Sequence, residues 1–175
     1  LSEKEQHLVQ QCKHACEDIE YDMGKHTVCV INLLGRVSID PVDCPFRMAD
    51  TILEKTDADI VIVDFHAEAT SEKRALGIYC DGRVSALFGT HTHVATADER
   101  LLDKGSGYIT DIGMCGVIDS VIGADIETSL SKFVSRTFTK KKAPAGKMMI
   151  NGAVFTVDDT TGYCVDIKRI KYCEV

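Results

Sequence analysis

The chain has 175 residues, a formal net charge of −7 at pH 7, and a composition that is 45% hydrophobic and 27% charged. This length and balance predict one globular domain with its own hydrophobic core and no segment apolar enough to span a membrane. The negative charge argues against a nucleic-acid polymer as the main partner, because surfaces that bind phosphate backbones are usually basic, but it does not exclude a small nucleotide as substrate.

The N-terminal segment is polar and rich in Glu, Gln and Lys. Between residues 3 and 20 its few apolar side chains recur at spacings of three or four, which predicts an amphipathic helix. A turn that contains Gly24 follows this segment. We therefore expect a helical N-terminal unit over residues 1–26 and an α/β domain over residues 27–175.

Two apolar strands with a helix between them predict a β-α-β unit at the start of that domain. Residues 27–34 are apolar on both faces, as expected of a strand inside a covered sheet. Pro45 suits the first turn of a helix. Residues 59–65 form a second β-branched run that ends at His66, and a further helix is predicted over residues 70–78.

The rest of the domain predicts two more strands, a helix and a β-hairpin. A strand before His91 is followed by a strand-like run at residues 108–112, and Asp125 is placed to cap the N-terminus of a helix. Residues 148–157 and 163–172 flank a turn as the two strands of a hairpin. The helix is expected to bury an apolar stripe made of Ile126, Leu130, Phe133 and Val134.

Eight cysteines are scattered along the chain without a Cys-x-x-Cys motif. A zinc ribbon or a thioredoxin-like motif is therefore not supported. Most of the cysteines lie inside apolar or strand-like runs, which is typical of reduced, buried thiols. We therefore expect reduced thiols and a cytoplasmic location.

Three histidines follow the predicted strands. An apolar run ends at Gly89 and is followed by His91 and His93, which point the same way if the chain stays extended. Taken alone, this short pattern also fits an ordinary surface loop. However, the preceding strand ends in His66, and ligands collect at the carboxyl ends of neighbouring parallel strands. The sequence therefore predicts a metal site on His66, His91 and His93.

Other side chains near these strand ends are candidates for binding a substrate or for orienting the metal ligands. Arg36 follows the first strand and could bind a phosphate or pair with a carboxylate, although an exposed loop arginine is an equally good interpretation. Thr90 and Thr92, next to the histidines, are further candidates for substrate binding. Asp64 and Glu68 are candidates for carboxylates that hydrogen-bond the metal-binding histidines.

Three longer segments surround these residues: VDFHAEATSEK at residues 63–73, GTHTHVATAD at residues 89–98, and DIGMCG at residues 111–116. They closely resemble the YmdB-like family of bacterial dinuclear metallophosphoesterases, which hydrolyse cyclic nucleotides such as 2′,3′-cyclic AMP. The resemblance runs from about Val28 to the C-terminus, and its matched phrases are far more specific than His-x-His alone.

The resemblance implies a fold, a cofactor and a substrate. The fold would be α/β, the C-terminal half of a four-layer αββα, calcineurin-like sandwich with mixed strands. The cofactor would be two divalent metal ions (iron, manganese or zinc), of which His66 and His91 bind one and His93 binds the other. The substrate would be a small-molecule phosphodiester. We further expect a homo-oligomer, with neither a nucleic-acid polymer nor a membrane as its main partner.

This chain also departs from the family pattern, which opens with a strand ending in Gly-Asp-Val and continues with Gly-Glu-Asn and Gly-Asn-His segments. None of these segments occurs here. In the family they supply an aspartate, a bridging glutamate, an asparagine ligand and a catalytic histidine. The catalytic residue is thus unassigned, and we expect weak metal binding and little activity from this chain by itself.

Two alternatives to the dinuclear phosphodiesterase remain open at this point. One is a hydrolase with a single zinc ion held by all three histidines and a water molecule, which is an accepted catalytic ligand set. The other is a non-catalytic module that keeps the fold for oligomerisation or for partner binding. The number of metal ions bound per chain distinguishes the three possibilities: near two, near one, or none.

Overall fold

The computed structural model describes residues 16–39, 41–136, 140 and 142–175. Within this part of the chain the fold is mixed α/β, with a six-stranded sheet, a three-stranded sheet and three helices. Over the same residues, no helix combines the length and the apolar character needed to cross a lipid bilayer.

The six-stranded sheet has a parallel centre and two antiparallel edge strands, and its spatial order is β1-β2-β3-β4-β6-β5. The strands are β1 (Cys16–Asp22), β2 (Thr27–Leu34), β3 (Ile60–His66), β4 (Ala86–Thr90), β5 (Arg100–Leu101) and β6 (Gly107–Ile109). Helix α1 (Pro45–Leu53) connects β2 to β3, and helix α2 (Thr70–Cys80) connects β3 to β4. Because β2, β3 and β4 are parallel, their carboxyl ends meet at one edge of the sheet.

The second sheet is antiparallel and follows in the order β7-β8-β9. Its strands are β7 (Gly116–Val117), β8 (Met148–Val157) and β9 (Cys164–Cys173), and helix α3 (Ile126–Ser135) lies between β7 and β8 in the chain. The predicted hairpin is confirmed as β8 and β9. The two sheets contact each other where Phe155 of β8 meets Phe88 of β4, with ring centroids 6.3 Å apart.

The hydrophobic core lies on one face of the parallel sheet. Alternate residues of the central strands are almost completely buried there and pack with residues of α1 and α2: Cys29, Ile31, Leu33, Val61, Val63, Phe65, Ala49, Ile52 and Leu76. Each fully buried aliphatic or aromatic side chain contributes about 1.5–3 kcal/mol. On the opposite face Val30 and Ile62 are only half-buried. The sequence predicts that both faces of this sheet are covered. Among the described residues, only one face is completely buried.

The predicted helix over residues 3–20 is wrong where the structure describes it, because residues 16–20 belong to strand β1. This strand pairs antiparallel with β2 along seven residues after a turn in which Gly24 has φ 82°. Pairing with an open sheet edge satisfies the backbone of β1, and this tertiary gain outweighs a helical spacing of apolar residues. Residues 1–15 lie outside the described part of the chain, so a helix there stays a prediction.

The predicted burial of the α3 stripe is also wrong. Helix α3 begins after Asp125, whose carboxylate accepts a hydrogen bond from the Thr128 amide as predicted. Yet Phe133 is 72% exposed and Val134 84% exposed, and Ile126 and Leu130 are exposed as well. The helical period creates an apolar face, but none of the described elements packs extensively against it. Amphipathic spacing specifies that a face exists and not what covers it.

Candidate metal centre

The predicted histidines lie at the carboxyl edge of the parallel sheet. His66 is the last residue of β3 and pairs in register with Thr90, the last residue of β4. His91 and His93 follow in the loop after β4. The expectation that neighbouring strand ends bring His66 close to the His-x-His loop therefore agrees with the structure, in which His91 Nδ1 lies 2.9 Å from His66 Nε2.

The tautomer of His66 follows from its hydrogen bonds. The Thr90 hydroxyl lies 2.8 Å from Asp64 Oδ1, and its single hydrogen must point to this carboxylate, which can only accept. The same hydroxyl oxygen lies 3.2 Å from His66 Nδ1 and therefore accepts the hydrogen of that nitrogen. As a result His66 carries its hydrogen on Nδ1, and Nε2 presents a lone pair.

Acceptors also determine the tautomers of the other two rings. Glu68 Oε2 lies 3.1 Å from His91 Nε2, so this nitrogen donates and Nδ1 of His91 keeps the lone pair. The backbone oxygen of Ile122 lies 2.8 Å from His93 Nδ1, so Nε2 of His93 keeps the lone pair. A ring oriented by an acceptor on one nitrogen, with the other nitrogen free, is the usual arrangement of metal-binding histidines.

These tautomers place two lone pairs face to face. His66 Nε2 and His91 Nδ1 are 2.9 Å apart, and the rings meet edge to face with centroids 4.7 Å apart. Burial, and next to it the positive charge that His91 can carry, lowers the pKa of His66 and disfavours a proton between the rings. Two nitrogens bound to one ion at about 2.1 Å lie about 3.0 Å apart at a right angle and about 3.4 Å apart in tetrahedral geometry, close to the observed separation. The pair therefore fits two ligands of one metal ion.

Residues 16–170 match the family model described as YmdB-like protein. The chain belongs to the YmdB-like family. The match confirms the resemblance seen in the motifs, and it begins earlier than Val28, so that it includes strand β1.

Relatives of this YmdB-like chain include a protein of Bacillus subtilis (strain 168) named 2′,3′-cyclic-nucleotide 2′-phosphodiesterase. The two are 47% identical over 145 residues, which are 82% of this chain and 55% of the relative. A crystal structure of a hypothetical protein from Thermus thermophilus superposes with a TM-score of 0.86 at 40% identity, over 90% of this chain and 62% of that one. A structure of a novel phosphatase from Mycoplasma pneumoniae gives 0.82 at 38% identity, over 89% and 57%.

The chain thus spans about half the length of the curated relatives it matches. Within its described residues, no group of three or more His, Cys, Asp or Glu side chains is arranged to hold one metal ion. His93 accordingly does not join His66 and His91 in a single ligand set. This geometry does not favour the alternative of one zinc ion on all three histidines.

The loop that carries the two histidines has an unusual backbone. His91 has φ 97° and His93 has φ 66°, in the left-handed region that residues with a Cβ rarely adopt. Each such conformation costs about 1–3 kcal/mol and persists only where surrounding contacts impose it. Strain of this kind concentrates at ligand-binding sites, which is consistent with the role predicted for this loop.

The candidates for substrate binding differ in their surroundings. The Thr90 hydroxyl donates to Asp64 and the Thr92 hydroxyl donates to Asp111 at 2.7 Å. Neither can donate to a substrate phosphate without breaking that bond. Arg36 is exposed just beyond β2, at the same edge of the sheet as His66. Substrate binding by these three residues stays a prediction, and Arg36 is the one of them that carries a positive charge.

A cavity of about 360 Å³ adjoins His93. It is lined by the loop after β4, by β6, and by the facing strands β8 and β9. Its wall combines apolar side chains, among them Ile112 and Met149, with nearly as much polar surface, which includes Asn151, Arg169 and Lys171. Its volume lies at the lower end of the range of about 300–1,000 Å³ for small-molecule sites.

Two contributions of this YmdB-like site were missed in the sequence. One is the relay from Asp64 through Thr90 to His66, since only the register of β3 and β4 brings the three side chains together. The other is a buried ion pair between Lys73 and Asp111. A signal for it exists in the sequence, because Lys73 lies on the buried stripe of α2 together with Leu76, Gly77 and Cys80.

We predict that Glu68→Gln lowers the affinity of the chain for Mn²⁺ by about tenfold, because removing a hydrogen-bond partner of a metal-binding histidine typically costs 10- to 100-fold. A glutamine at residue 68 can turn its NH₂ group towards Nε2 of His91. This nitrogen then no longer has to donate, and Nδ1 no longer has to keep the lone pair. Isothermal titration calorimetry measures the affinity, with Glu54→Gln at the end of α1 as the matched control. Equal affinities in both variants would show that Glu68 does not orient His91.

Proposed function

We propose that this chain contributes the histidine side of a metal centre that hydrolyses phosphodiesters, with 2′,3′-cyclic nucleotides as the substrate class. The observation that carries the proposal is the facing pair His66 Nε2 and His91 Nδ1, whose opposite ring nitrogens both donate to acceptors. A metal cation is the partner that accommodates two such lone pairs. The name of the Bacillus subtilis relative supplies the substrate class.

In this proposal the centre holds two divalent cations, which are iron, manganese or zinc. His66 and His91 bind one of them, and His93 binds the other through Nε2. When bound, the cations lower the pKa of a water molecule and neutralise the charge of the phosphate. The protein keeps the ligands available for a metal, because the lowered pKa of His66 favours the neutral ring and because Thr90 and Glu68 orient two of the rings.

The other ligands would come from the Gly-Asp-Val, Gly-Glu-Asn and Gly-Asn-His segments of the family pattern. With them, the two sheets described above would form the middle layers of the four-layer αββα sandwich. The cavity beside His93 gives the nucleoside part of the substrate room next to the metals. A cytoplasmic location and a homo-oligomeric state belong to the same proposal, and the free cysteines of the described chain are consistent with a reducing compartment.

The test compares the 175-residue chain alone with the same chain co-expressed with the N-terminal fragment of the Bacillus subtilis relative. Elemental analysis measures bound metal, and a release assay measures hydrolysis of 2′,3′-cyclic AMP with and without chelator. We expect fewer than two metal ions and little turnover from the chain alone, because the Gly-Glu-Asn segment, which would supply the bridging carboxylate for two cations, does not occur in these 175 residues. The completed protein should bind two ions and show turnover that the chelator removes.

Two outcomes would contradict the proposal. Robust metal-dependent turnover by the 175-residue chain alone would favour a mononuclear hydrolase. A completed protein that binds two metal ions but leaves 2′,3′-cyclic AMP intact would point to another phosphoester or to a binding role. A parallel assay with 3′,5′-cyclic AMP, which has the same base and charge, shows whether the site selects the 2′,3′ ring.

A further inference from the structure

A buried ion pair lies directly behind the histidine loop. Lys73 Nζ, in the first turn of α2, is 2.7 Å from Asp111 Oδ2, and both side chains are only 1% exposed. Asp111 follows β6, which is the neighbour of β4 in the sheet. Neither residue is among the expected metal ligands, so the chemistry proposed above does not account for the pair.

Asp111 is also the acceptor that holds Thr92. Its Oδ2 accepts the Thr92 hydroxyl at 2.7 Å and the Thr92 backbone amide at 3.2 Å. Its Oδ1 accepts the backbone amide of Gly113 at 2.9 Å. A single carboxylate therefore joins helix α2, the histidine loop and the loop that begins at Gly113.

Thr92 stands between the two histidines, and both of these have positive φ. Such a backbone needs external contacts to persist. The two hydrogen bonds from Thr92 to Asp111 are contacts of this kind, because they fix the position of the residue between His91 and His93. We propose that Asp111, neutralised by Lys73, is a positioning residue that holds His91 and His93 in the conformation that binds metal.

Packing alone does not explain this arrangement. A buried ion pair adds little net stability compared with packed apolar side chains of the same volume. What a carboxylate offers here is acceptor capacity on both oxygens for several donors at once, and the ammonium group of Lys73 compensates its charge. An asparagine at residue 111 would replace one of the accepting oxygens by an NH₂ group, which cannot accept a hydrogen bond from these donors. The inference rests on the proposed metal site, since it assigns a role to residues that support that site.

The test is a Co²⁺ titration of the completed protein, in which the chain is co-expressed with the N-terminal fragment of the Bacillus subtilis relative, followed by the visible absorption of the bound ion. Thr92→Val removes one hydroxyl at nearly constant volume, and we expect it to weaken Co²⁺ binding by about 10- to 100-fold, as for other partners of metal ligands. Thr92→Ser keeps the hydroxyl and should restore the affinity and the spectrum of the parent. Thr27→Val is the matched control, because it removes a hydroxyl that donates to Asp59 at the opposite edge of the same sheet.

Asp111 is tested by Asp111→Asn combined with Lys73→Met, so that no charge is left buried without a partner. We expect the same loss of Co²⁺ affinity in a protein whose far-ultraviolet circular dichroism matches the parent. If this double variant does not fold, the Thr92 series decides the question. Equal Co²⁺ affinity in the parent and Thr92→Val would overturn the positioning role alone. Failure of the completed protein to bind Co²⁺ would overturn the proposed metal site and this inference with it.

Discussion

His66→Ala in the completed enzyme is expected to lower kcat/KM for 2′,3′-cyclic AMP by about a thousandfold or more. The substitution removes Nε2, one of the two nitrogens that face each other across 2.9 Å, and so leaves one position of the proposed metal centre with a single histidine. A bound metal supplies several kcal/mol of transition-state stabilisation, and each 1.36 kcal/mol corresponds to a factor of about ten in rate. The measurement is a steady-state release assay at saturating Mn²⁺, together with the metal content of the variant.

The matched control is His26→Ala. His26 precedes β2 at the opposite edge of the same sheet, where its ring contacts Asp159. This variant should keep the metal content and the rate of the parent.

We also expect His91→Ala and His93→Ala to impair metal binding far more than folding. Thermal unfolding in chelator should be nearly unchanged, because surface substitutions usually shift stability by about 0.5 kcal/mol or less. If either variant unfolds in chelator while the parent stays folded, that histidine is structural.

Gly89→Ala is expected to destabilise the fold by about 3 kcal/mol, the upper part of the range for an overpacked site. A Cβ at residue 89 would lie 1.8 Å from the backbone oxygen of Thr110 and 2.7 Å from Cδ of Lys73. The first of these contacts is with backbone, so it can be relieved only by separating β4 from the segment after β6. That movement would also disturb the hydrogen bond from the Ile112 amide to the Gly89 oxygen.

Urea denaturation followed by circular dichroism measures this effect as a lower midpoint. Gly152→Ala in β8 is the matched control, because a Cβ there meets nothing within 4 Å. We expect its free energy of unfolding to stay within about 0.5 kcal/mol of the parent. A Gly89→Ala protein with the midpoint of the parent would mean that β4 and the Thr110 segment separate at little cost.

Much of the fold could be predicted because the strands and helices follow local periodicity. The run of apolar residues before His66 and the position of Pro45 specify β3 and the start of α1 from neighbouring residues alone. The convergence of His66 with the His-x-His loop followed from a general rule of parallel sheets, in which neighbouring strand ends share an edge. These features need no knowledge of distant contacts.

Other features could not be predicted, because they depend on partners far away in the chain. The sequence predicts helix over strand β1, because the polar–apolar alternation of residues 18–23 is short and competes with the helical spacing of residues 3–20. Only pairing with the open edge of β2 decides between the two. The apolar stripe of α3, with Phe133 and Val134, was predicted to be buried, but amphipathic spacing does not determine what packs on it. In both cases the spacing of the residues is real, but it does not determine which distant segment the element contacts.

By itself, the sequence determined the family, the parallel sheet and the choice of three histidines as candidate metal ligands, since each depends on short segments whose residue types and spacing are local. The tertiary structure decided which nitrogen of each ring is free. That choice depends on acceptors such as Asp64, which reaches Thr90 across 26 positions of the chain. The tertiary structure also decided that Lys73 contacts Asp111, 38 positions away, next to the loop that carries His91 and His93. Hydrogen bonds are directional at about 3 Å, so only the packed strands bring such partners into position.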